Sequence, residues 1–129
     1  MQQAYAEARG LFGVAAATNL VVGIGLLFLR PLVGPLMRLD PAGGTNLVMV
    51  YLGGGLILLF GAAYVLLAAD PVRWRPYIPL AVAGKLIAAA SVITPWAMGD
   101  ISWRLPALIS VDLLFAGLFV RFLRRHPAP

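Results

Sequence analysis

Three polar side chains stand alone in apolar surroundings, and any chemistry inside this chain would fall to them: Asn19, Lys85 and Asp112. An ammonium beside a carboxylate can hold an ion pair, bind a polar or anionic ligand, or exchange a proton as the pair opens, and an amide can complete the hydrogen bonding. Each of the three lies inside a long apolar run. A charge at the centre of a bilayer-spanning helix costs about 2.5–3.5 kcal/mol, so such a residue turns inward and finds a partner. We therefore expect Lys85 to pair with Asp112, with Asn19 filling a remaining hydrogen bond. The same layer is the candidate ligand or proton site.

The runs around these residues define the elements that must position them. Crossing a hydrocarbon core about 30 Å thick takes roughly 20 mainly apolar residues in a helix. Four stretches qualify: residues 10–30, 45–69, 77–98 and 105–123, the third interrupted by Lys85 and the fourth by Asp112. With a rise of 1.5 Å per residue, Lys85 lies about 12 Å in from Tyr77, Asp112 about 14 Å in from Arg121 and Asn19 about 15 Å in from Arg9. An up-and-down arrangement brings the three to one depth. Ala81, Gly84, Ala88 and Ala89 surround Lys85 at helical spacing, which leaves room for its stem and for close helix approach.

The composition supports spanning helices. Of 129 residues, 61% are hydrophobic and 12% charged, with a mean hydropathy of +0.90, whereas a soluble domain carries about 25% charged residues. The expected fold class is all-α: one domain over residues 1–129, an integral membrane four-helix bundle, antiparallel and up-down. Glu7 and the length of the first apolar run argue against a cleaved signal peptide. Arg9, Arg73, Arg75, Arg121, Arg124 and Arg125 fall on one side of the bundle against Arg30, Arg38 and Arg104 on the other, so both ends are expected inside, N-in and C-in. The net charge of +5 then forms a belt facing anionic lipid rather than a surface for nucleic acid.

Boundary signals agree with the four spans. Thr45 and Asn46 are candidate caps, Pro76 and Pro79 open the third helix, and Ser102 with Pro106 opens the fourth. Pro95 should kink or end the third. Trp74, Tyr77, Trp96 and Trp103 fall near span ends, as interfacial aromatics do. Residues 31–44 are too apolar for a solvated linker and read as an interfacial loop on the outer side.

Several chemistries are excluded. The only histidine is His126 in the tail, so haem or chlorophyll ligation by histidines within the spans has no donor. There is no cysteine, and Glu7, Asp40, Asp70, Asp100 and Asp112 are too scattered for a metal set, so no metal and no cofactor is expected. No nucleophile elbow, P-loop or dinucleotide fingerprint is present. Gly53, Gly54 and Gly55 read first as a close-packing surface. Their alternative is a gap at Gly54 where a lipid or quinone ring lies against the backbone, with Tyr51 or Tyr64 offering a hydroxyl.

Four short motifs carry a family resemblance: YLGGG from Tyr51, ADPVRWRP from Ala69, GKL from Gly84 and DLLF from Asp112. Over roughly residues 45–125 the chain resembles the small four-helix DoxX-like membrane proteins of bacteria. That resemblance implies a compact membrane bundle and, in some relatives, an accessory subunit of quinone-linked respiratory complexes. It supplies no catalytic motif to carry over.

The leading functional expectation is a non-enzymatic, multi-pass protein of the bacterial inner membrane, an accessory or assembly subunit of a larger complex. Its expected partners are the lipid bilayer, other membrane subunits or further copies of itself. The alternative is a small transporter or ligand-binding protein using Lys85 and Asp112. An isomerase-like enzyme with that pair as acid and base is a third option.

Overall fold

The computed structural model describes residues 1–128, and among them the regular structure is entirely helical: α1 (Gln2–Phe28), α2 (Arg30–Met37), α3 (Thr45–Ala69), a 3-10 turn (Arg75–Tyr77), α4 (Ile78–Ala97) and α5 (Arg104–Arg125). The helices α1, α3, α4 (with the turn that precedes it) and α5 are long and apolar enough to cross a membrane. Only 22–28% of each apolar window is buried within the chain. Val14, Val21, Leu59, Ile87 and Leu114 therefore face outward on all four helices, more apolar surface than a soluble monomer exposes.

Two boundaries differ from the sequence reading. Helix α1 begins at Gln2, eight residues before the apolar run, because QQAYAEAR is rich in good helix formers and continues the helix past the hydropathy signal. Residues 31–44 are not loop throughout. Pro31 occupies an early position of α2 where no amide donor is needed, and Arg38, left-handed at φ 52°, ends that helix. The expected caps are also replaced: Gly44, at φ 56°, precedes α3 and Trp103 precedes α5, with no side-chain cap bond from Thr45, Asn46 or Ser102. Pro95 lies two residues before the end of α4, which stops there.

Helix α1 packs chiefly on α3, and α4 chiefly on α5. The first pair is antiparallel, with Leu27 beside Gly54, Leu58 beside Gly23 and Leu20 beside Gly61. A Cβ at Gly23 or Gly54 would come within 2.6 Å of the facing leucine, so the absence of a side chain permits this approach. The second pair is antiparallel too: Lys85 meets Asp112, and Arg75 Nη2 donates to the carbonyl of Leu123 at 3.1 Å.

The core is lopsided. Ala8, Phe12, Ala15, Ala16, Tyr64, Leu67, Ile78, Ala81, Phe115, Phe119 and Phe122 form it, all toward the end that carries Glu7 and Arg125. Phe12 joins the two pairs, its ring centroid 4.8 Å from Phe119 and 5.4 Å, edge-on, from Phe122. At that end Glu7 Oε2 lies 2.9 Å from His126 Nε2 and 3.6 Å from Arg125 Nη1, and the Tyr5 hydroxyl donates to Asp70 Oδ1 at 3.1 Å. The backbone amide of Arg73 also donates to Asp70, at 3.0 Å. That amide foremost, and Tyr5 with it, holds the Asp70 carboxyl below the usual aspartate range.

The opposite end is looser. Arg104 Nη1 reaches across to the carbonyl of Leu36 at 2.6 Å, and an open groove of about 500 Å³ lies between α2 and α5, lined by Leu36, Met37, Trp103, Arg104 and Leu108.

Candidate polar site where four helices meet

Lys85 sits on the inward face of α4 between buried Ala81 and Ala89. Small neighbours let its stem lie flat within the bundle, and Gly84 beside it accommodates the ring of Phe60, which a Cβ would meet at 2.8 Å. Its ammonium forms an ion pair with Asp112 Oδ1 of α5 and donates to Asn19 Oδ1 of α1 at 2.7 Å. The nitrogen also lies 5.2 Å from the centroid of Tyr64 on α3 and 5.6 Å from that of Phe115 on α5, both within cation–π range. Asn19 in turn donates through Nδ2 to the carbonyl of Ile57 on α3 at 3.1 Å. One ammonium thus ties all four long helices, and among the described residues no fully buried side-chain nitrogen or oxygen lacks a partner.

The pair is asymmetric. The Lys85 side chain is 4% exposed and that of Asp112 21%. Asp112 uses only Oδ1 among the described residues, so Oδ2 remains as an acceptor. Its position on α5 explains the difference. Leu108, Asp112, Phe115, Phe119 and Phe122 recur at three- and four-residue steps along one face, closed from Phe115 onward and open at Leu108.

The structure brings Asn19, Lys85 and Asp112 into one hydrogen-bonded group. It does not bring Tyr51, Gly54 and Tyr64 together. Tyr51 is exposed on the outer surface of α3, whereas Tyr64 is 1% exposed within the polar layer. Thirteen residues separate them, about 20 Å along the helix. The space beside Gly54 is filled by Leu27. What sequence reasoning missed is that Tyr64 and Phe115 offer ring faces to Lys85. Tyr64 lies about 9 Å in from Asp70, near the depth of Lys85, so the depth arithmetic applied to aromatics finds it. The link between Glu7 and His126 carries no such signal, because it joins residues far apart in sequence outside any apolar run.

No group of three histidine, cysteine or acidic side chains arranged for a metal ion occurs among the described residues. The site can fix the relative positions of four helices, and it can accept a hydrogen bond at Asp112 Oδ2. Comparison with known families, curated proteins and solved structures gives no match to this chain.

Proposed function

We propose that the chain is a multi-pass protein of the bacterial inner membrane, both ends cytoplasmic, that serves as a non-enzymatic accessory or assembly subunit of a larger, quinone-linked complex. The observation that carries this reading is that Lys85 finds its partners within the chain. Its ammonium spends its bonding on Asp112, Asn19 and two aromatic faces, all from the chain itself. That is the behaviour of a pin that sets helix positions. Meanwhile apolar faces on all four long helices are left for lipid and neighbouring subunits. The arginines near the Glu7 end supply the cytoplasmic excess that the orientation requires.

Purification of the tagged protein from native membranes in gentle detergent, with assembly mass, protein content and absorption spectrum recorded together, tests the proposal. Stoichiometric co-purification of other membrane subunits is expected. A homogeneous small homo-oligomer without them overturns it.

One observation favours a second reading, a small transporter or ligand-binding protein. Asp112 is the more exposed half of the pair and keeps a free oxygen. In that case the polar layer is a binding site as well as a pin.

A further inference from the structure

We infer that the groove between α2 and α5 holds one acyl chain of an anionic phospholipid, with the lipid phosphate on Arg104. This inference rests on the membrane-spanning reading above. Arg104 opens α5 and Arg124 lies in its last turn, about 30 Å further along the axis. That is the thickness of a hydrocarbon core, so Arg104 stands at the phosphate level of one leaflet when Arg124 stands at that of the other. The groove begins beside Arg104 and is otherwise lined by Leu36, Met37, Trp103 and Leu108. Leu108 lies one helical turn deeper than Arg104, so the apolar lining runs from the interface toward the acyl layer. Leu32 and Leu36, one turn apart on α2, are both more than half exposed, an apolar edge that the chain itself leaves uncovered.

Charge selects the headgroup. Arg104 spends one donor, on Nη1, at the carbonyl of Leu36, and the rest of its guanidinium fork is left for another acceptor. No carboxylate takes that place: Asp40 and Asp100, the acidic side chains of this end, are exposed and form no ion pair among the described residues. Arg30, Arg38 and Arg104 outnumber those two aspartates, and the positive excess favours a net negative headgroup over a zwitterionic one. Shape selects the tail. Helix α2 has eight residues and is about 12 Å long, too short a wall to seat a spanning helix along its length. A groove of about 500 Å³ bounded by it suits a slender chain.

Trp74, Trp96 and Trp103 are the three tryptophans, so Trp74→Phe with Trp96→Phe leaves Trp103, in the groove lining, as the sole emitter. This protein is reconstituted in phosphatidylcholine vesicles at physiological salt. Its fluorescence is read against rising shares of phosphatidylglycerol or phosphatidylcholine brominated on the acyl chain near the glycerol, where contact quenches. Half-quenching by the brominated phosphatidylglycerol is expected at a share about fivefold lower than by the brominated phosphatidylcholine, the worth of one arginine at an anionic lipid surface. Arg104→Gln is expected to erase that difference. Leu108→Phe, which fills the groove and keeps the charge, is expected to reduce it, and it decides the question if Arg104→Gln fails to fold. Equal shares for the two lipids overturn the inference, as does a preference that survives either variant unchanged. Trp103 shielded from both lipids shows a second copy in the groove and overturns it too. A control emitter, Leu59→Trp with Trp103→Phe added, sits at an exposed mid-span position of α3 and is expected to be quenched by both lipids. No quenching there would instead refute the membrane-spanning reading, a failure with its own signature.

Discussion

Removing one member of the Lys85–Asp112 pair should destabilise the protein far more than removing both. Asp112→Leu leaves an ammonium that is 4% exposed, with Asn19 and two rings as its only company. Stranding a buried charge costs about 3–5 kcal/mol, and this variant belongs in that range. Lys85→Met strands the carboxylate instead, but at 21% exposure Asp112 can still be hydrated. Its cost should be smaller, about 2–3 kcal/mol. The double variant, Lys85→Met with Asp112→Leu, replaces an ion pair by apolar groups and should fall within about 1 kcal/mol of the parent. The coupling is then at least about 4 kcal/mol in favour of the double change, well beyond the additivity expected of independent sites. Reversible unfolding in mixed micelles, followed by tryptophan fluorescence, measures all four proteins on one scale. Additive losses would refute the pairing argument. A Lys85→Met cost equal to or above that of Asp112→Leu would refute the asymmetry drawn from exposure.

Asn19→Leu removes the oxygen that Lys85 uses and the amide that bonds Ile57, so a loss of roughly 1–3 kcal/mol is expected in the same assay. Gly54→Val pushes methyl groups into Leu27 and should cost about 1–3 kcal/mol, with partial recovery when Leu27→Ala is added. An unchanged midpoint for the single variant would show that α1 and α3 separate easily. Asp70→Asn tests the cap between α3 and the following turn. The folded-state pKa of Asp70 lies below its ordinary value of 3.8, so its contribution is complete above that value and disappears as pH falls through the lowered one. The stability gap between parent and Asp70→Asn should therefore be constant at neutral pH and close only in acid. A gap that widens on acidification contradicts the sign.

The polar junction was legible because Asn19, Lys85 and Asp112 each interrupt an apolar run, and helical rise turns sequence position into depth. The four long helices were legible from the same runs. The start of α1 was hidden because hydropathy stops near Gly10 while helix propensity continues back to Gln2. Helix α2 was hidden for the opposite reason: Pro31, Gly34 and Pro35 read as loop, and the helix owes its place to tertiary contacts such as Val33 against Gly25. The ring partners of Lys85 were hidden, because Tyr64 reads by its hydroxyl and Phe115 as one more apolar residue of its run. Uneven burial left no trace either, since the long helices carry apolar residues on both their inner and their outward-facing sides.

The seam between the α1/α3 and α4/α5 hairpins bears on how the chain is assembled. Each hairpin buries its own close contacts, so each can pair before it meets the other. What remains for the second step is concentrated at one end: Phe12 entering among Phe119 and Phe122, and Lys85 finding Asn19. The joint therefore behaves as a hinge fastened at one edge. Two co-expressed fragments divided near Arg73 would recognise each other chiefly through that edge, with Arg104 on the Leu36 carbonyl the contact at the other end, and Asn19 would become the residue through which one half meets the buried charge of the other.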